Sequence, residues 1–282
     1  MIVLQNIVWN KDSFFVSEKE TFVRTDSQVA VSAADNALLI PQCASVAFST
    51  YMNMFAAKKW RDLTDLSEVF VLVRGHGVVQ VRVVGIVDKH DYSYESVIVS
   101  EELHLGEQNQ TIAVPDFAQY DAVFVQVTAV GTLVQIPFIA FATTESIKNP
   151  VKMGACICTF NRQRYLRANL EKNIPNLHES NLNLSFFISN NGDELGFDLP
   201  AGVRVEKNRN LGGAGGFARA MKMALDANMT HIILMDDDIE LPFETLFRTI
   251  RLFEYLKPEK QDIFVSGSML SAEEKWLQYE RN

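Results

Sequence analysis

The spacing of hydrophobic and polar positions divides the chain into two parts with different patterns. Up to about residue 142, short segments rich in Val and Phe alternate with turn signals at 74–77, Asp91 and Gly131. The predicted strands are residues 22–24, 69–73, 78–87, 96–99 and 122–130. Many short strands at this spacing are typical of an all-β sandwich or barrel. We therefore predict an N-terminal β-sandwich domain over residues 1–145, followed by a polar linker that ends in Pro150.

After Pro150 the pattern changes to strands that alternate with amphipathic helices. Leu166, Leu170 and Ile174 recur at helical spacing, which predicts a helix over residues 161–174. Further helices are predicted over residues 215–228 and from Pro242 onward, and strands over 151–159, 184–189, 203–205, 231–235 and 262–265. This alternation predicts a mostly parallel α/β sheet in a second domain, residues 151–282. Ligands of such sheets bind beyond the carboxyl ends of the strands.

Composition narrows the classes of protein. The 282 residues are 48% hydrophobic and 22% charged, which is typical of a globular protein. The net charge is -9 and no basic stretch is present, which argues against a nucleic-acid partner. The chain lacks a signal-peptide pattern and any apolar run of about 18 residues. We expect a cytoplasmic protein, and leave open peripheral contact with the inner face of the membrane and homo-oligomerisation.

The three cysteines are Cys43, Cys156 and Cys158. An odd number without a signal peptide argues against a disulfide framework. Cys156 and Cys158 lie two residues apart in a predicted strand and would share a face. We predict two buried small side chains there, with a metal-binding or redox pair as the alternative.

Four polar clusters follow four successive predicted strands. They contain Thr159, Phe160 and Arg162; Asn190 and Asn191; Asn210, Gly212 and Gly213; and Asp236, Asp237 and Asp238. Because the carboxyl ends of parallel strands meet at one edge of a sheet, we expect these clusters to lie together.

The Asp triplet is the most informative of these clusters. Side chains alternate along an extended backbone, so Asp236 and Asp238 should point one way and Asp237 the other. Two converging carboxylates suit a hard cation such as Mg²⁺ or Mn²⁺ that also contacts phosphates. A solvated acidic turn is the alternative.

The glycine cluster allows two interpretations. Bare backbone N–H groups at the start of a helix favour an anion, whereas a glycine-rich helix start without a ligand is the alternative. Residues 213–218 also match the dinucleotide fingerprint G-x-G-x-x-A, with Asp236 downstream. The match does not directly follow its strand, and two strand–loop units precede it. We therefore discard an NAD(P) enzyme.

Taken together, Thr159-Phe-Asn-Arg162, Asn210-Leu-Gly-Gly-Ala-Gly-Gly216 and the Asp triplet resemble the GT-A domain of inverting family 2 glycosyltransferases. The resemblance is greatest to the bacterial galactofuranosyltransferase branch, which carries an N-terminal β-sandwich domain. Residues 51–60 are similar to the aromatic segment of that domain. The resemblance covers nearly the whole chain.

The resemblance implies a role for each motif. Asp236 and Asp238 would hold Mg²⁺ or Mn²⁺ at the diphosphate of a UDP-sugar, and Asp237 would lie beside them, near the ribose or the sugar. The residues implied to bind the donor are Thr159, Phe160 and Arg162 at the uridine, Asn190 and Asn191 where many members have an aspartate near uracil, and Asn210, Gly212 and Gly213 along the donor.

The implied reaction is metal-dependent, inverting transfer of galactofuranose from UDP-galactofuranose to a cell-surface glycan or a lipid-linked acceptor. In the family, the base and a histidine metal ligand follow the segment that here reads 267–270. We therefore expect them beyond Asn282, in a domain truncated at its C-terminal end, and leave the catalytic residue unassigned. The alternatives are another donor such as a UDP-hexose or dTDP-rhamnose, a nucleotidyltransferase, and a carbohydrate-binding module that uses Tyr51, Phe55 and Trp60.

Overall fold

The computed structural model describes residues 1–9, 19–32, 34–89, 91–180, 182–239 and 241–271. Contacts divide the chain into two compact units. One is Met1–Ile147 together with the described residues 255–271, and the other is Lys148–Glu254. The predicted second domain ran to residue 282. The described residues after Glu254 group with the first unit because Tyr255 contacts the ring of Trp60 and Leu256 forms a bridge with Thr64.

In its described residues, the first unit has nine strands and two short α-helices. The strands are β1 Ile2–Asn6, β2 Ala30–Val31, β3 Leu38–Ile40, β4 Ser45–Ala47, β5 Phe70–Lys89, β6 Tyr92–Leu105, β7 Gln110–Ala113, β8 Ala122–Ala129 and β9 Val134–Thr143. The helices are α1 Lys19–Phe22 and α2 Ala57–Leu63. Every pairing given for these strands is antiparallel, with β2-β3-β9-β5-β8-β4 as the main path. The predicted β-rich first domain is confirmed.

The long strand β5 corrects the sequence analysis. Two strands were predicted, separated by a turn at 74–77, but one strand runs through these residues. Its first part pairs with β7 and β9, and its later part with β6 and β8. The register shifts between Arg74 and His76, and Gly77 has φ of 109°. The glycines therefore produce a β-bulge instead of a turn, because the backbone bends without leaving the ladder.

The strand predicted at residues 22–24 is also wrong. Phe22 ends helix α1, and Arg24 forms only an isolated bridge with Ala47.

The aromatic segment of the first unit belongs to its core. Phe55 is fully buried and its ring lies 5.5 Å from Trp60, 4.9 Å from Phe141 and 6.2 Å from Phe117. Tyr51 is the one member of the predicted sugar-binding trio that is exposed, at 70%. The hypothesis that a sugar stacks on Phe55 and Trp60 is therefore wrong, because these two rings stack on each other within the core.

The second unit is a parallel α/β sheet, as the alternation of strands and helices predicts. Its strands are β10 Met153–Thr159, β11 Leu184–Asn190, β12 Val203–Lys207 and β13 His231–Asp236, in the order β12-β11-β10-β13. The helices are α3 Gln163–Ser180, α4 Gly212–Asp226 and α5 Phe243–Tyr255. Helix α4 begins three residues before its predicted start, so the glycine cluster forms its first turns.

The strand predicted at 262–265 is wrong. Residues 262–265 form neither strand nor helix, and Phe264 is fully exposed. Because no surface covers the apolar side chain of Phe264, its burial does not stabilise a strand in this segment.

Of the two cysteines of β10 that were predicted to be buried, Cys156 is buried and Cys158 is only partly buried. Cys156 is fully buried against Phe187, Ala220, Met223 and Ala224, and burial raises the pKa of its thiol to about 11. Burial, and then the charges of Asp237 and Asp236, also raise the pKa of Cys158. Thiols held protonated are poor nucleophiles and poor metal ligands, which disfavours the redox or metal pair.

Helices suited to crossing a membrane are not found in the described part of the chain.

Candidate functional site

The four polar clusters lie at one edge of the parallel sheet. Thr159 at the end of β10 is in register with Asn190 of β11, which is in register with Lys207 of β12. On the other side of β10, Cys158 is in register with Asp236 of β13. The strands all run in the same direction, so the loops that follow them start side by side. This is the edge where the sequence analysis expected a ligand.

Exposure alternates through the Asp triplet. Asp236 and Asp238 are exposed, whereas Asp237 is only 7% exposed. The hydroxyl of Thr159 donates a hydrogen bond of 2.7 Å to the carboxylate of Asp237, and the side-chain amide of Asn169 donates to its main-chain oxygen at 3.1 Å. The triplet therefore has two exposed carboxylates and a buried one between them, the order that the sequence predicts. Strand β13 ends at Asp236 and the next two residues form a turn, so this order does not come from a continuous strand.

The charges of the triplet are partly balanced within the unit. Burial raises the pKa of Asp237, the hydrogen bond from Thr159 opposes that shift, and the charge of Asp238 adds to it. Arg162 forms an ion pair with Asp238, and both side chains are partly exposed to solvent. Asp236 has no ion pair among the described residues.

Asn190 and Asn191 hold loops together. The side-chain oxygen of Asn190 accepts from the backbone N–H of Gly192 at 3.0 Å, and its side-chain NH₂ donates to the main-chain oxygen of Asp193 at 2.7 Å. Asn191, 7% exposed, donates to the Gly212 oxygen at 3.2 Å and accepts from the amide of Asn208 at 3.2 Å. Their direct contact with a nucleotide base stays a prediction. In this structure their amides join the ends of β11 and β12 to the start of α4.

The glycines at the start of α4 have different surroundings. Gly212 has φ of 72°, and its N–H donates to the Asn210 side chain at 3.0 Å. A Cβ at Gly213 would meet nothing within 4 Å, whereas a Cβ at Gly216 would lie 2.1 Å from the Cys158 sulfur. Close packing against β10 explains Gly216. It does not explain Gly213, so a plain helix start accounts for only part of the cluster.

The segment after β10 is shaped by Asn161, which the sequence analysis did not select. Asn161 has φ of 56°, and its side-chain oxygen accepts from the N–H of Asp193 at 2.7 Å. A Cβ at Gly192 would lie 2.2 Å from that oxygen. This contact places the loop after β11 against the loop after β10, beside Phe160, whose ring is 53% exposed.

Asn169 was also missed. It lies on the buried face of α3, next to Leu166 and Leu170, and is only 8% exposed. A polar amide on the apolar stripe of an amphipathic helix requires a hydrogen-bond partner, and that requirement was the available signal.

The outward carboxylates have the chemistry of a hydrated divalent site. Mg²⁺ is commonly held by one or two carboxylates together with waters and phosphates. Groups of three or more His, Cys, Asp or Glu side chains that could form a closed cage are not found in the described residues. A metal held by these two carboxylates and a phosphate ligand stays a prediction.

Comparison with known proteins identifies galactofuranosyltransferases as relatives of this chain. The family described as "Galactofuranosyltransferase 2 N-terminal" matches residues 12–136. The chain is 24% identical to galactofuranosyltransferase GlfT2 of Mycobacterium tuberculosis over 269 residues, which is 89% of this chain and 41% of the relative. It is also 24% identical to GlfT2 of Mycolicibacterium smegmatis, over 89% of this chain and 40% of the relative. The chain thus spans about two fifths of the length of these relatives.

Solved structures add little. A family 29 carbohydrate binding module from Piromyces equi covers 43% of this chain and 80% of its own, with 11% identity and a TM-score of 0.25. Similarity at that level does not bear on function. The sequence similarity does, and it shows that this chain is related to the galactofuranosyltransferases.

Proposed function

We propose that this chain carries the donor half of a metal-dependent, inverting glycosyltransferase site on a GT-A-like sheet. The donor would be a UDP-sugar. The similarity to galactofuranosyltransferases favours UDP-galactofuranose as that donor. The acceptor would be a cell-surface glycan or a lipid-linked glycan. The observation that carries the proposal is the outward pair Asp236 and Asp238 at the carboxyl edge of the sheet, with Asp237 turned inward between them.

The groups around the pair support an anionic ligand. Asp236 and Asp238 would hold Mg²⁺ or Mn²⁺, which when bound supplies positive charge to the leaving diphosphate. The N-cap residue of α4, Leu211, provides no side-chain cap, and Asn210 accepts a hydrogen bond from the Gly212 N–H in the first turn. Uncapped N–H groups at a helix start favour an anion, and the free space at Gly213 lets one approach.

Arg162 and Phe160 provide chemistry suited to the nucleotide. The Arg162 guanidinium can contact phosphate or uracil oxygens once its pairing with Asp238 is relieved. The exposed ring of Phe160 offers an apolar face to the base or ribose. A base that deprotonates the acceptor hydroxyl completes the reaction, and the proposal leaves that base unassigned.

Calorimetric titration with UDP tests the proposal. Asp236→Asn and Asp238→Asn should each abolish the part of the UDP affinity that depends on Mn²⁺, because each removes one of two metal-binding carboxylates. Their unfolding midpoints should remain near that of the wild type, since both side chains are exposed.

The matched control is Asp226→Asn. Asp226 is an exposed carboxylate at the far end of α4 that pairs with Lys222. Its loss changes the net charge equally and should leave UDP binding intact. Unchanged Mn²⁺-dependent affinity in both triplet variants would refute the metal assignment.

A further inference from the structure

The middle residue of the Asp triplet is held at two points by two different elements. Thr159, the last residue of β10, donates to its carboxylate at 2.7 Å. Asn169, on α3, donates to its main-chain oxygen at 3.1 Å. Thr159 is 1% exposed and Asn169 is 8% exposed, so both contacts are shielded from water. Asp237 is thereby fixed in side chain and in backbone.

The inward orientation of Asp237 needs these contacts. A carboxylate prefers water to the interior of a protein, and burial is tolerated only with hydrogen bonds to its oxygens. Repulsion between neighbouring carboxylates acts on all three residues. Without a donor on the inside, Asp237 would gain by turning to solvent, and the accompanying backbone rotation would reorient the neighbouring carboxylates of Asp236 and Asp238.

We infer that Thr159 and Asn169 are positioning residues that hold Asp237 inward and so present Asp236 and Asp238 together as a donor-binding pair. The inference rests on the proposed function. The role inferred for Thr159 differs from the uridine contact that the family resemblance implies. Thr159 is only 1% exposed, and its hydroxyl donates a hydrogen bond to Asp237. The inference also adds Asn169, which lies on a helix outside the four loops.

Two substitutions at Thr159 separate the hydroxyl from the shape of the side chain. Thr159→Val keeps the shape and removes the donor, whereas Thr159→Ser keeps the donor. We expect Thr159→Val to weaken Mn²⁺-dependent UDP binding by about tenfold, the size of a lost buried hydrogen bond to a charged group. Thr159→Ser should restore affinity to within about twofold. UDP affinity measured with a chelator should be the same in all three proteins.

A second pair of variants tests the backbone contact. Asn169→Leu removes the donor to the Asp237 oxygen within a buried position, and should weaken the Mn²⁺-dependent affinity in the same way as Thr159→Val. Asn176→Leu is its control on the same helix, because the Asn176 amide is exposed and donates only to Lys172 at 2.9 Å. The control should leave UDP binding unchanged.

Amide hydrogen exchange without any ligand decides the inference independently of donor binding. Peptides that contain residues 236–238 should exchange faster in Thr159→Val and Asn169→Leu than in the wild type, Thr159→Ser or Asn176→Leu. Equal exchange in all five proteins would overturn the inference. So would faster exchange with unchanged Mn²⁺-dependent affinity, because the contacts would then serve stability alone. If the wild type binds no UDP with Mn²⁺, the proposed function fails, while the exchange data still decide whether the two contacts hold the triplet.

Discussion

Arg162 and Asp238 form an exposed ion pair. The arginine therefore competes with the proposed metal for the same carboxylate. Exposed pairs of this kind contribute about 0–1 kcal/mol, so the pairing is weak enough to exchange. Metal on Asp238 would release Arg162 toward the nucleotide. The residue would then have opposite effects on two ligands, because its charge repels the cation and attracts the diphosphate.

The substitution Arg162→Gln should reveal both effects. We expect Mn²⁺ alone to bind up to about fivefold more tightly, because a competing cation is removed. The complex of UDP and Mn²⁺ should bind more weakly, because a phosphate or base contact is lost. Titrations with Mn²⁺ alone and with UDP plus Mn²⁺ measure the two affinities. Arg219→Gln, which removes an exposed pair with Glu206, is the control and should change neither. Weaker binding of both ligands would exclude the exchange.

At this scale the sequence predicts what depends on neighbouring residues. The order of exposed and buried carboxylates in the triplet is predicted from strand periodicity and is found in the structure, although β13 ends at Asp236 and the next two residues form a turn. The partners of Asp237 do not follow from it. Thr159 lies 78 positions away along the chain and Asn169 lies 68 positions away, and only the folded sheet brings them to the triplet.

Among the elements, helix α4 combines two closely packed glycines, Gly215 and Gly216, with two beside open space, Gly212 and Gly213. Replacement of Gly213 by Val should leave the unfolding midpoint nearly unchanged, because a Cβ there meets nothing within 4 Å. The same change should sharply reduce UDP affinity if the diphosphate approaches this backbone. Normal UDP binding by Gly213→Val would place the donor away from the glycine cluster.

Replacement of Gly216 by Ala is the structural counterpart. Its Cβ would lie 2.1 Å from the Cys158 sulfur, so we expect a loss of about 1–3 kcal/mol in the free energy of unfolding. Chemical denaturation measures that loss, and equal stability of the two glycine variants would contradict it. Gly215→Val is a less useful test, because its Cβ would meet the Cβ of Leu211 at 2.4 Å.

Elements are predictable where local periodicity and tertiary packing agree. The alternation after Pro150 identifies β10, α3, β11, β12, α4 and β13 within a few residues. Local periodicity fails at residues 74–77. Two glycines there are typical of a turn, but long pairing with β9 and β6 keeps strand β5 continuous. It fails again at residues 22–24 and 262–265, where the apolar residues predict strands but do not join a ladder.

For the molecule as a whole, stability should depend on pH through Glu254. Its side chain is buried near the end of α5, and burial raises its pKa while Arg251, 2.6 Å away, opposes the shift. The folded protein therefore holds this proton more tightly than the unfolded chain. The contribution of this group to stability is present below the ordinary glutamate pKa and is lost as pH rises through the folded value.

Comparison with Glu254→Gln isolates that contribution. Glutamine has no proton to lose, so the free energy of unfolding of the variant should rise relative to the wild type as pH increases from about 4 to 7. Urea denaturation at several pH values measures the difference. A difference that is constant with pH, or one that changes in the opposite direction, would show that Glu254 does not bind its proton more tightly in the folded state.

The division of the whole molecule was predictable only in part. The change of pattern at the polar linker marks the end of the first unit near Ile147. The return of the chain after Glu254 to that unit was not predictable, because it depends on the long-range packing of Tyr255 on Trp60.

Anomalous scattering from crystals grown with UDP and Mn²⁺ locates the metal without reference to activity. We predict one manganese peak at the carboxyl edge of the parallel sheet, coordinated by Asp236 and Asp238 and by the diphosphate, with Asp237 still bonded to Thr159. A manganese peak at another place in the chain, or UDP bound away from the Asp triplet, would refute the proposed donor site.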